Sequence, residues 1–268
     1  MPISITPTTS LVTPAIIELQ DIHFSYVQAT MTTPVLLGTS LALREGQRIG
    51  LLGDNGSGKT TLLHVAMGLL QPSSGAIIHA GTVLPISSSQ CASSKKASQA
   101  LKPALAALRR DLGFLFQNSD DQLFCPTVLE DVAFGPLNLG LTSDEARQTA
   151  LETLGLLNLQ DFAQRVTHKL SGGEKKMVAL ASIMSMAPKA LLLDEPTNDL
   201  DAATRAHLID ILTSHSHSHI IISHDWDFLH RTCDIFLTMK DGMLTETPHA
   251  PHVHVHTHQG GSLAHRHR

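Results

Sequence analysis

Gly53-Asp54-Asn55-Gly56-Ser57-Gly58-Lys59-Thr60 follows the apolar run Arg48 to Leu52 and opens a helical pattern that extends to about Leu70. The spacing is GxxxxGK[ST], in the strand–loop–helix setting that gives it meaning. Its glycines let the backbone curl so that successive N–H groups face phosphate oxygens, and the helix start adds a favourable dipole. Lys59 brings a point charge to the β- and γ-phosphates, the Thr60 hydroxyl is a ligand for Mg²⁺, and Thr61 continues the phosphate-binding set. Average residue usage gives such a match by chance in roughly one per cent of chains of this length. The stretch predicts a nucleoside triphosphate site.

Such a site needs a carboxylate at the end of a second buried strand. Leu191-Leu192-Leu193-Asp194-Glu195 supplies one, at the carboxyl end where open α/β sheets bind ligands. Asp194 is placed to hold Mg²⁺ through its water shell, and Glu195 to orient or deprotonate the attacking water. The alternative, a solvated acidic turn after a core strand, is common for an isolated Asp-Glu pair.

Working outward, β-rich segments cover Ile16 to Phe24 and Val35 to Leu43, with Gly46 turning the chain into Arg48 to Leu52. Ala76 to Val83 reads as a strand, Pro85 to Ser98 as a Ser-rich surface loop, and Leu101 to Arg110 as a helix leading into strand Gly113 to Phe116. Helical periods dominate from about 119 to 187, over Val128 to Phe134, Ser143 to Leu154 and Gly173 to Met186. Ala190 to Leu193 and Ile220 to Ser223 are continuous apolar runs of the kind a buried parallel sheet contains. Asp234 to Thr245 forms a last β-rich segment turning at Asp241-Gly242.

At Leu170-Ser171-Gly172-Gly173-Glu174 small residues again open a helix, and its free N–H groups with the Ser171 hydroxyl make a second anion site. The ordered set of phosphate loop, Gln117, LSGGE, LLLDEP, Asp199-Leu200-Asp201 and His224 resembles the ATP-binding subunit of ABC transporters over about residues 16 to 247. Two departures stand out: Glu174 where glutamine is usual, and Asn198-Asp199-Leu200 where Ser-Ala-Leu is usual. Phe116 to Phe124 and Thr127 to Pro136 narrow the resemblance to the energy-coupling-factor importers, especially those for cobalt and nickel.

The resemblance implies an α/β fold: a P-loop, RecA-like core with an antiparallel β subdomain and an inserted α-helical subdomain at about 119–187. Residues 1–15 would be an N-terminal extension and 248–268 a histidine-rich tail. It implies that Tyr26 stacks on adenine, although a single tyrosine after a strand equally serves as core or edge filler. Gln117 would contact Mg²⁺ and the attacking water, and His224 the γ-phosphate, where an isolated strand-end histidine is more often structural. Ser171, Gly172, Gly173 and Asp201 would serve the ATP of a second ATP-binding subunit, in a homo- or heterodimer. Integral membrane subunits would carry the cargo, and the chain would sit on the cytoplasmic face of the membrane.

The 268 residues are 42% hydrophobic and 16% charged, enough for one large domain or two modest ones. A net charge of −5 argues against a nucleic-acid partner, and three scattered cysteines make no disulfide framework or zinc knuckle. The start, MPISITPTTS, lacks the pattern of a secretory signal, and no apolar run is long enough to span a membrane. Against this ordinary background stand 17 histidines. His249, His252, His254, His256, His258, His265 and His267 crowd the last residues, with His252, His254, His256 and His258 alternating as metal ligands on one side of an extended chain. Imidazole suits Ni²⁺ and Co²⁺, and also Cu²⁺ and Zn²⁺. A second trio is His215, His217 and His219. The bland reading is a solvated tail with adventitious metal affinity. The function expected is ATP hydrolysis driving import of nickel or cobalt. The alternatives are another small nutrient such as a vitamin, or an ABC ATPase with no transport partner.

Overall fold

The computed structural model describes residues 14–28, 31–85, 95–214 and 218–247. Two sheets organise it. The first is antiparallel, in the order β2 (Met31–Leu43), β1 (Ile17–Gln28), β4 (Ser74–His79), β5 (Thr82–Leu84). The second runs β10 (Met243–Glu246), β9 (Ile235–Lys240), β3 (Arg48–Leu52), β8 (Ser218–Ile222), β7 (Ala190–Asp194), β6 (Leu112–Leu115), parallel except for the edge strand β10.

Every residue of β7 and β8 is buried because the parallel sheet is covered on both faces. Alternate side chains therefore enter different cores. Leu191 and Leu193 join a core built with the helices α3 (Val128–Asn138), α4 (Ser143–Leu156), α5 (Gly172–Met184), α6 (Ala202–Ser214) and α7 (Trp226–Thr232). Ala190 and Leu192 face the opposite core, shared with α1 (Lys59–Ala66), α2 (Lys95–Asp111) and the antiparallel sheet. The two sheets meet at the chain's last hairpin. The Gly242 carbonyl accepts from the Leu37 N–H at 2.9 Å and from the Thr39 hydroxyl at 2.6 Å. Asp241 and Gly242 both have positive φ, which suits a two-residue hairpin turn.

Several expectations are corrected. The first strand continues past Phe24 to Gln28, and the second starts at Met31. Helix α1 stops at Ala66 rather than Leu70: Gly68 takes φ +63, with Leu105 packed where a side chain would stand. Ala76 to Val83 is a hairpin, not one strand, because Ala80 and Gly81 reverse the chain. Of the expected loop Pro85 to Ser98, residues 95–98 are the first turn of α2, and 86–94 lie outside the described residues. Helices α6 and α7 were not anticipated. His219 belongs to β8 with no exposure, its ring bonded to the Thr232 carbonyl at 2.8 Å, so it is removed from any exposed histidine trio. His215, His217 and the tail lie outside the described residues.

Candidate functional site

The phosphate loop leaves β3 at Leu52 and enters α1 at Lys59. Gly53 has φ +139, and a Cβ there would stand 2.2 Å from the Met239 carbonyl oxygen, so only glycine fits between loop and sheet. Gly58, at φ +105, caps the helix. Lys59 is buried, and its ammonium curls back to donate to the Gly53 and Asp54 carbonyls, each at 2.8 Å. Burial pulls its pKa down, while Glu195, Asp194 and Asp54 oppose the change. The Ser57 hydroxyl is buried within the loop without a partner.

A cavity of 580 Å³ opens over this loop, well inside the usual range of roughly 300–1,000 Å³ for ligand sites. Asn55, Gly56, Gly58, Lys59, Thr60 and Thr61 line its floor. Asp194, Glu195, Gln117 and His224 arrive from the carboxyl ends of β7, β6 and β8. Tyr26 lines the same cavity from β1, two-fifths exposed, with its ring edge-on to Phe24 and its hydroxyl 3.3 Å from that of Thr61. That exposure excludes core filler. Asn198, Val35 and Ile222 complete the wall, and the sequence assigns none of them to the nucleotide site.

Asp194 is 1% exposed, and burial raises its pKa against a hydrogen bond from Thr60 and the charges of His64, Lys176 and Lys59. Its Oδ2 is buried with no hydrogen-bond partner. A carboxylate oxygen left orphaned beside a threonine hydroxyl is the donor set a hard divalent cation requires, so the residues fit Mg²⁺. Glu195 holds a left-handed backbone, φ +48, and its N–H donates to the Ile222 carbonyl at 2.9 Å. Burial raises its pKa too, with His224 the main opposing group. The His224 imidazole stands 3.4 Å from Glu195 Oε1 and 3.0 Å from Asn55 Oδ1.

Ser171, Gly173 and Asp201 are not brought to this cavity. They line a separate one of 440 Å³, with Glu174 and Asp199. Ser171 caps α5, accepting from the Glu174 N–H at 3.3 Å, and its own N–H donates to Glu174 Oε2 at 2.7 Å. Arg165 holds the other carboxylate oxygen at 2.8 Å. Gly172 and Gly173 pack against Asp199, and the Asp199 carbonyl lies where a Gly173 side chain would stand. Asp201 accepts from the Thr204 N–H at 2.7 Å, opening α6.

A phosphate loop and an acid-tipped strand, β7, separated from β3 only by β8 in a doubly covered parallel sheet, define a P-loop nucleoside triphosphatase. The chain belongs to the ABC transporter family, whose pattern matches residues 36–198, and within it to the energy-coupling-factor branch. A candidate ABC transporter ATP-binding protein of Nitratidesulfovibrio vulgaris is 61% identical, over 94% of this chain and 86% of that one. The energy-coupling factor transporter ATP-binding protein EcfA of Methanothermobacter thermautotrophicus is 38% identical over 85% of this chain and 69% of its own length. Among solved structures, cbiO1 of Clostridium perfringens, part of the ABC transporter complex cbiONQ, aligns with a TM-score of 0.69 at 31% identity, over 87% of each chain. The protein is thus an ATPase that couples hydrolysis to transport.

Proposed function

We propose that this chain is the ATPase subunit of an energy-coupling-factor importer for a transition-metal ion, nickel or cobalt, bound peripherally at the cytoplasmic face of the membrane. The observation that carries the site reading is the partnerless Asp194 Oδ2 beside Thr60, at the foot of a cavity floored by the phosphate loop. Among the described residues no helix is long and apolar enough to cross a membrane, so translocation falls to other subunits.

Position supports a role for each residue. Residues 53–61 cradle the phosphates, Lys59 placing its charge on the β- and γ-groups. Tyr26 offers its exposed ring to adenine. Thr60, Asp194 and Gln117 hold Mg²⁺, which when bound neutralises charge on the transferring phosphoryl group. Glu195, its carboxylate made more basic by burial, takes the proton of the attacking water. His224 faces the same point and hydrogen-bonds the γ-phosphate. Ser171, Gly173 and Asp201, in their separate cavity, and Gly172 in the same turn serve the ATP of the partner ATPase subunit. On the helical side Phe124 and Phe134 stack edge-on at 4.7 Å while both stay exposed, an apolar pair suited to a membrane subunit.

The histidine excess supports the cargo reading, with His252, His254, His256 and His258 as ligands for Ni²⁺ or Co²⁺. The test is purification of the complex from membranes, followed by uptake of each metal. ATP-dependent accumulation of one of them supports the reading, and transport of neither retires the metal cargo while leaving the ATPase. Deletion of residues 249–268 separately tests the tail: unchanged metal affinity, and unchanged uptake at limiting metal, removes its role.

A further inference from the structure

Lys175 and Lys176 are neighbours on α5, and a pair of lysines on a helix ordinarily points to water. Here they diverge. Lys176 is 2% exposed, and its ammonium donates to the Gln117 backbone carbonyl at 2.5 Å. Lys175 reaches Asp120, three residues further along the same loop, also at 2.5 Å. The loop is fastened to α5 once more by Gln122, whose amide donates to the Ala179 carbonyl at 3.0 Å and whose oxygen accepts from the Phe116 N–H at 3.3 Å. Residues 116–122 thus lie along the helix that Ser171 opens, held at both ends and in the middle.

Burying an ammonium is costly unless charge and hydrogen bonding compensate it. Lys176 has one carbonyl partner, and it feels the negative charges of Asp199, Asp194 and Glu195. Gln117 is the residue that gains: its carbonyl is fixed from one side while its side chain lines the phosphate cavity on the other.

We propose that Lys176 is a positioning residue for ATP hydrolysis, its hydrogen bond from α5 to the Gln117 carbonyl keeping the Gln117 side chain directed at the metal and the attacking water. The inference rests on the reading of Gln117 given above. It also joins the two cavities of one chain, since the helix opened by Ser171 is the helix that holds Gln117.

Lys176→Met keeps the apolar stem and removes the donor, and Lys176→Gln restores a neutral donor. In the full-length chain, Lys176→Met should lower kcat at least about tenfold and leave the KM for ATP within roughly twofold, the pattern of a lost transition-state interaction. Lys176→Gln should return kcat to within about threefold of wild type. A readout apart from turnover is the electron paramagnetic resonance of Mn²⁺ bound with ATP, which should change in Lys176→Met and recover in Lys176→Gln. A wild-type rate and spectrum in Lys176→Met, or Lys176→Gln as slow as Lys176→Met, overturns the proposal. Should Lys176→Met not fold, the same readouts apply to Lys175→Ala, which frees the middle of the loop at a more exposed position. Gln117→Ala is assayed alongside. Wild-type turnover there removes the reading of Gln117 itself, whereas a slow Gln117→Ala beside a normal Lys176→Met retires this inference alone.

Discussion

His224 and Glu195 face each other at 3.4 Å across the ends of β8 and β7, the imidazole directed at a carboxylate that burial has made more basic. Glu195→Gln keeps the shape and removes the base. ATP should still bind, and turnover should fall about 10²–10⁴-fold, the usual cost of losing a general base. Single-turnover hydrolysis checks it, and a wild-type rate would sink the assignment of Glu195.

Asp194 makes a converse case. If its buried carboxylate, one oxygen partnerless, serves a cation, Asp194→Asn should relieve the nucleotide-free protein while removing its function. The thermal midpoint without nucleotide should stay level or rise. ATP affinity should lose its dependence on Mg²⁺. A titration with and without the metal reads this, and an undiminished Mg²⁺ effect would contradict the role.

Arg205 on α6 makes a two-pronged pair with Asp225, at 2.5 and 2.8 Å, and so ties α6 to the segment that follows His224. The hydrogen bond from Arg205 holds the Asp225 carboxyl below its ordinary range. A depressed carboxylate adds stability that is full above its unfolded pKa, about 3.9, and is lost as pH falls through the folded value. Arg205→Ala should therefore cost about 1–2 kcal/mol near neutral pH. The gap from wild type should close in acid. Denaturation across pH 2 to 7 tests both parts, and a gap that persists at the acid end would contradict the sign.

Glu174 occupies the N-terminus of α5 with a full negative charge, bonded to Ser171 and Arg165. If Ser171 and Gly173 close on the γ-phosphate of a partner subunit's ATP, this carboxylate repels it. Glu174→Gln should tighten ATP-driven dimerisation by up to about fivefold, the scale of one exposed charge contact. Sedimentation with the slow Glu195→Gln background gives the measurement, and weaker association would reverse the argument.

The legible parts of the chain were those where period and chemistry coincide. β7 is buried on both faces, so Leu191 to Leu193 form an unbroken apolar run ending in acid. The phosphate loop is fixed by covalent spacing alone. Helix α6 was missed because its buried residues, Leu208, Ile209, Ile211 and Leu212, crowd its second half and show no repeating face. Helix α7 has 7 residues, too few to display one. His219 misled through its alternation with His215 and His217, since a spacing of two does not say where a buried strand begins: β8 starts at Ser218 and is covered on both faces. Lys176 carries no signal at all in sequence: only packing against the loop at 117 distinguishes it from Lys175.

The contact of Gly53 with the Met239 carbonyl has a consequence for how the protein is made. The phosphate loop is synthesised long before the strand it leans on, and β2 likewise awaits the carbonyl of Gly242. A nascent chain therefore holds an unfinished nucleotide cradle until β9 and β10 leave the ribosome, and ATP can select only chains extended past Gly242.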